Sequence, residues 1–350
     1  MLELIGEARA AALVGVFGGL LLGLAARFGR FCTLGSIEDY LYSSDDRRLR
    51  MWGVAIGVAI LATQGLIATG GLDPADTPLL NMAWNPMATV LGGLMFGYGM
   101  ALSGNCGYGA LARLGGGDFR AFVIVVVMGL SAAIVLSGPL AALRVRAFPM
   151  EPAATLQGLG DLAGRGLGLP PLVLGILVGG AILALSLSSR AIRASASHIV
   201  WGGVVGLAIA SGWAGTAWIA ANGFAAEPVQ SHSFAAPIGE TSFWSMTASA
   251  TEVSFSVGSI LGVLAGAFVG SLFKGHFRWE ACDDPRELRR QIGGAALMGV
   301  GAVLAVGCSI GQGLSAFAVL AYSAPVAFLA IFAGAALGLR QLIEGVIPAE

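Results

Sequence analysis

The chain has 350 residues, 56% of them hydrophobic and only 11% charged, with a formal net charge of −1 and a mean hydropathy of +0.82. A soluble domain carries about 25% charged residues, so this composition excludes one, and near-neutrality without a basic stripe excludes a nucleic-acid partner. What remains is an all-α polytopic membrane protein whose first partner is the lipid bilayer.

In chain order, nine apolar stretches approach the length a helix needs to cross the hydrocarbon core, about 20 residues. They are 10–30, 51–71, 87–105, 119–143, 170–190, 198–220, 253–273, 291–307 and 323–341. Glu3 and Glu7 stand where a cleavable leader would need positive charge, so no such leader is expected. Cytoplasmic loops are enriched in Lys and Arg. With the N-terminus outside, the inner connections collect 13 of the 19 basic residues, from Arg47 to Arg340, while loops 72–86 and 222–242 hold none. The expected topology is therefore N-terminus outside and C-terminus cytoplasmic, with Arg144, Arg146 and Arg165 the exceptions in an outer loop.

A repeat runs through this pattern. Gly18, Gly23, Cys32 and Gly35 define the frame Gly-x4-Gly-x8-Cys-x2-Gly, and it recurs without an indel at Gly92, Gly97, Cys106 and Gly109, and at Gly294, Gly299, Cys308 and Gly311. Three copies use three of the four cysteines, which points to internal duplication. Gly206 and Gly215 offer a degraded fourth copy, with glycine at the cysteine position. The chain then reads as one membrane unit, 1–350, with halves at 10–143 and 198–341 joined by the helix at 170–190. The second and third cysteine motifs follow spans of opposite direction, which makes the halves inverted repeats, an arrangement common in transporters.

Glycines around a cysteine inside an apolar run predict a broken helix. Irregular backbone at membrane depth is tolerated only where it is buried in protein or lines a wet cavity. A half-helix such as 108–115 would aim free N–H groups and a positive dipole end at the break. A cysteine there faces a site suited to anions, and its thiol is a weak donor and a soft acceptor. Candidate binding residues are Cys32, Cys106 and Cys308 with Gly35, Gly107, Gly109 and Gly311 of their breaks. Asn105 and Gln312 adjoin the cysteines and offer amide N–H groups; Arg27 and Arg30 flank Cys32 and either attract an anion or snorkel to the interface. Glu38 and Asp39 follow Cys32, within reach of those arginines. Cys282, in a charged loop without the frame, reads as an ordinary loop residue. The prolines of 228–237 and the Trp-Asn-Pro at 84–86 read as loop and helix-start chemistry. His198, His232 and His276 share no ligand spacing and no phosphate-binding glycine motif is present, so no metal or cofactor is expected.

The segments FGRFCTLGSIEDYL, GYGMALSGNCGYGALARLGGGDFR and GVGAVLAVGCSIGQGLSAF resemble the three cysteine motifs of the YeeE/YedE family, bacterial inner-membrane proteins of sulfur-compound uptake, notably thiosulfate. The resemblance spans residues 10–340. It implies an hourglass-like helical fold with inverted pseudo-symmetry, re-entrant segments that bring Cys32, Cys106 and Cys308 to a central constriction, and thiosulfate passing along these thiols by S–H···S contacts. It also implies a TusA-like cytosolic sulfur-carrier protein as partner. One departure is that the basic residues near the first cysteine lie upstream of it, at Arg27 and Arg30, and the connecting loops are long. The competing readings are a membrane thiol or persulfide redox enzyme, which lacks a Cys-x-x-Cys pair here, a carrier of another sulfur or selenium species, and a soft-metal carrier.

Overall fold

The computed structural model describes residues 6–168, 170–224, 227–280 and 284–345; Cys282 lies outside them. The principal helices are α1 (Glu7–Phe28), α2 (Thr33–Tyr42), α3 (Arg47–Ala68), α4 (Pro86–Ser103), α5 (Gly107–Gly115), α6 (Phe119–Leu136), α7 (Pro171–Leu187), α8 (Ala196–Asn222), α9 (Ala236–Thr247), α10 (Phe255–Phe273), α11 (Pro285–Leu304) and α12 (Ser323–Glu344), with a π-helical run, Gly311–Ala316, between the last two and shorter helical pieces in the connections, among them Ala141–Ala147 and Leu159–Leu167. Each of the nine apolar stretches carries a helix. Among the described residues seven candidates are long and apolar enough to cross a membrane, counting α1 with α2 and α4 with α5. The other two stretches fall short of that measure for plain reasons. α7 has 17 residues, and α11 opens with Arg286, Glu287, Arg289 and Arg290 before its apolar part begins.

The helix starts are built as the sequence suggests. Pro86 occupies the first turn of α4 and the Asn85 side chain accepts from Ala88 N–H at 3.1 Å, satisfying a donor that the helix itself cannot. In lipid, helices associate by close packing rather than by the hydrophobic effect, and small residues permit it. Gly15, Gly19 and Gly23 of α1 lie against the backbone of α10, whose Gly258, Gly262 and Gly266 lie in turn against Ala12, Val16 and Leu20. Gly92 and Gly99 of α4 meet Gly301 and Gly294 of α11 in the same reciprocal way. The second glycine of each cysteine frame serves this purpose: Gly23, Gly97 and Gly299 abut the carbonyls of Val263, Ile331 and Met128, on α10, α12 and α6.

Packing partners interchange between the two halves of the chain. α1 lies on α10 as α8 lies on α3, and α4 lies on α12 as α11 lies on α6. α5 touches α10 as the π-helical run touches α3, and α9 touches α6 as α2 touches α12. The degraded fourth copy of the frame is corrected, however. α8 continues unbroken through Gly206 and Gly215 to Asn222, because these glycines serve close packing, Gly206 on Ala55 and Val58 and Gly215 on Val14. The chain leaves the helix only at Gly223, and the segment that follows, not Gly215, approaches the cysteines.

Candidate functional site

All three cysteines sit at breaks of one construction. Two residues before each, the backbone turns left-handed: Arg30 has φ 54, Gly104 φ 72 and Val306 φ 55. The chain then extends, Cys32 at φ −154 and ψ 132 and Cys106 at φ −84 and ψ 170, and each caps the half-helix that follows. The Cys106 sulfur accepts the backbone N–H of Gly109 at 3.4 Å, and the Cys308 sulfur accepts that of Gly311 at 3.4 Å. Sulfur thus takes the place of the oxygen of a Ser or Asp cap in these two copies of Cys-x2-Gly, whereas Cys32 makes no such side-chain bond. A thiol held through its lone pair keeps its own proton free to donate.

The breaks converge. Cys106 and Cys308 are buried, Cys32 partly so; Thr33, next to Cys32, reaches Cys106, and Phe234, whose N–H meets the Cys308 sulfur, packs on Tyr108 two residues past Cys106. Hydroxyls accompany them. Thr33 Oγ1 is 4.0 Å from the Cys106 sulfur; Ser233 Oγ is 3.8 Å from the Cys308 sulfur, which also accepts Phe234 N–H at 3.3 Å. The hydroxyl of Ser309, the residue after Cys308, is buried without a hydrogen-bond partner. Aromatic rings close the surroundings: Phe31 stacks on Trp52 at 4.6 Å, and Tyr108 lies 6.4 Å from Phe31 and 5.4 Å from Phe234. Thiol and hydroxyl donors in such walls suit an anion with a soft sulfur end.

The other expected residues divide. Gly107 lies under Met128 and Ile238, and Gly311 lies against Ser233, so a side chain at either would displace its neighbour. Gly109 is different: a Cβ there would make ordinary contact with Asn105 and Cys106, and what it contributes is its N–H. Asn105 is 3% exposed, and its amide makes no hydrogen bond among the described residues. Gln312 does not present a free N–H, contrary to expectation. Its amide nitrogen donates to Ala305 O at 3.0 Å and Val306 O at 2.9 Å, and its oxygen accepts from Ser323 at 2.9 Å, so it braces the break before Cys308. Arg27 donates to the Arg113 carbonyl at 3.4 Å on the arginine-rich face, and the Arg30 side chain is exposed. The basic residue at the first cysteine motif is instead Arg48, whose guanidinium lies over Gly35, donates to Arg30 O at 3.1 Å and pairs with Asp39 at 2.9 Å. Asp39 is thus neutralised by Arg48, not by Arg27 or Arg30. Lys274 completes that face, donating to Arg27 O at 2.9 Å and to Phe28 O; burial and then Arg30 and Arg27 hold its ammonium below the usual lysine range.

Sequence reasoning missed Thr33, Ser233, Phe234, Ser309 and Arg48. Two of them carried a signal, since Thr33 and Ser309 directly follow cysteines. The prolines of 228–237 are placed as expected, Pro237 in the first turn of α9, and the segment between them also delivers Ser233 and Phe234 to Cys308. On the face opposite the arginines, a small opening reaches Val306 and Gln312 of this break, lined also by Trp84, Arg144, Phe148 and Met150.

Comparison with known proteins places this geometry. The sequence matches the family described as Sulphur transport over residues 28–337. It is 24% identical over 331 residues to the thiosulfate transporter TsuA of Spirochaeta thermophila, covering 91% of this chain and 96% of that one. It is 26% identical over 319 residues to the thiosulfate transporter TsuA of Escherichia coli, covering 86% of each.

Proposed function

This chain belongs to the Sulphur transport family, the one its cysteine motifs resemble, and we propose that it carries thiosulfate across the bacterial inner membrane along Cys308, Cys106 and Cys32. It is a multi-pass membrane transporter, not an enzyme. The observation that carries the reading is the meeting of three breaks that share a left-handed turn two residues before the cysteine, two of whose sulfurs are fixed by the N–H of the glycine three residues on. Thiosulfate presents a soft terminal sulfur that a thiol S–H can donate to, and oxygens that backbone N–H and hydroxyls can hold. The anion would pass from one thiol to the next by exchanging hydrogen bonds, without covalent change.

In this reading the N-terminus is outside and the C-terminus cytoplasmic. The cavity beside Val306 and Gln312 is the outer approach, with Arg144 to attract the anion, and a TusA-like carrier takes the sulfur on the inner side. The halves 10–143 and 198–341 act as inverted repeats about α7, a view supported by the interchange of packing partners.

The test is growth of a sulfur-auxotrophic bacterium on thiosulfate with this chain as the only uptake route. Cys106→Ala and Cys308→Ala should abolish growth at normal membrane abundance, while Cys282→Ala grows as wild type. Wild-type growth by the Cys106→Ala strain would remove the relay; failure of a well-expressed wild-type chain would remove thiosulfate as the substrate.

A further inference from the structure

The arginine-rich face holds a second cavity, which Cys308 does not line. Three elements wall it: the last turn of α1, the turn that ends α5, and the segment after α10. The walls are stitched together by backbone, Arg278 N–H to Gly116 O at 3.2 Å, Glu280 N–H to Gly117 O at 3.1 Å and Phe119 N–H to Glu280 O at 2.9 Å. Arg27, Arg113, Arg120 and Arg278 line it with His276, against the carboxylates of Asp118 and Glu280 alone. Both carboxylates are taken by Arg120, at 3.1 Å each. Arg27, Arg113 and Arg278 therefore form no ion pair among the described residues. Arg27 is further committed: its guanidinium lies on Gly116, where a Cβ would collide with it, and its Nε is buried with no hydrogen-bond partner. Buried donors are normally satisfied, and neighbouring like charges repel unless something neutralises them.

We propose that this cavity is a binding site for a divalent tetrahedral oxyanion of the sulfate and thiosulfate class, held by Arg27, Arg113 and Arg278. Guanidinium groups bind such oxygens with paired, charge-assisted hydrogen bonds, and the preformed walls leave little ordering to be done on binding. The role, though not the binding, rests on the proposed transport function. Arg27 stands five residues before Cys32 and Arg113 seven after Cys106, so an anion in the cavity ties together the helix ends that carry the two inner breaks. It would receive the anion released past Cys32 and, when filled from the cytoplasm, oppose further passage.

The test is isothermal titration of the detergent-purified full chain with sodium sulfate at fixed ionic strength, since weak surface attraction is screened by salt. Wild type and Cys106→Ala should bind one sulfate with equal affinity, displaced by thiosulfate. Arg113→Gln and Arg278→Gln, each checked for a wild-type gel-filtration profile, should weaken binding at least tenfold, and Arg278→Lys, which keeps the charge but not the paired geometry, should weaken it less than Arg278→Gln. No saturable sulfate binding by wild type, or unaltered binding by both glutamine variants, would overturn the site. Sulfate binding by a chain that does not transport thiosulfate would leave the site standing and refute the transport reading instead.

Discussion

Val306 shows how much the breaks demand of single residues. It is β-branched, yet it stands at φ 55, a conformation that costs an L-residue about 1–2 kcal/mol and is a genuine outlier for a branched one. Gly104 fills the same place before Cys106 at no such cost. Val306→Gly should therefore raise the melting temperature of the purified chain, by up to about 1 kcal/mol of stability, with thiosulfate uptake unimpaired if the valine has no role beyond the turn. The hydroxyls beside the thiols make the opposite prediction. Ser233→Ala, which removes the oxygen 3.8 Å from the Cys308 sulfur, should lower the uptake rate several-fold without changing abundance or thermal stability. The cysteines themselves were legible in the sequence because a fixed glycine frame repeats around them. Ser233 was not, since no local pattern ties it to a cysteine 75 residues further on; only the fold brings the two together. Gln312 was legible as a neighbour but not in its role, because its amide turns back onto Ala305 and Val306 rather than into the site.

At the scale of elements, glycine sets the distances between helices. Gly97 of α4 lies against the Ile331 carbonyl of α12, whereas Gly65 near the end of α3 has nothing within 4 Å of an added Cβ. Gly97→Ala should therefore destabilise the fold by about 1–3 kcal/mol, the usual cost of overpacking. Gly65→Ala should be neutral or slightly stabilising, as alanine is the better helix former; thermal unfolding of the two purified variants compares them. The half-helices were readable from glycine spacing, and 108–115 corresponds closely to α5, Gly107–Gly115. The mistaken fourth break at Gly215 has the same origin. A glycine that ends a helix and a glycine that lets a neighbour approach look alike in sequence, and only the presence of Val14 against Gly215 tells them apart. The π-helical run Gly311–Ala316 left no signal either, since nothing local distinguishes it from an α-helical turn, although such segments often mark functional sites.

At the scale of the molecule, hydropathy was enough for an all-helical polytopic protein, because lipid forces every backbone donor to be satisfied within the chain. The count of clear crossings fell to seven among the described residues, as charge at the start of α11 and the 17 residues of α7 lie at the edge of what composition alone can recognise. The long connection between α6 and α7 gains meaning only in three dimensions. Ala83 N–H donates to Glu151 O, Leu159 N–H to Leu320 O and Tyr322 N–H to Gln157 O, so it folds over the end of the molecule where Cys308 is approached and brings Arg144 to the cavity there. Family membership makes the chain a sulfur transporter, and the proposed path adds thiols fixed by backbone N–H with hydroxyls beside them. The most direct measurement is uptake of labelled thiosulfate into proteoliposomes containing the purified chain, with Cys308→Ala and Cys282→Ala beside it. Saturable uptake that Cys308→Ala loses and Cys282→Ala keeps is the predicted result; equal uptake by the wild type and Cys308→Ala would contradict passage along the thiols.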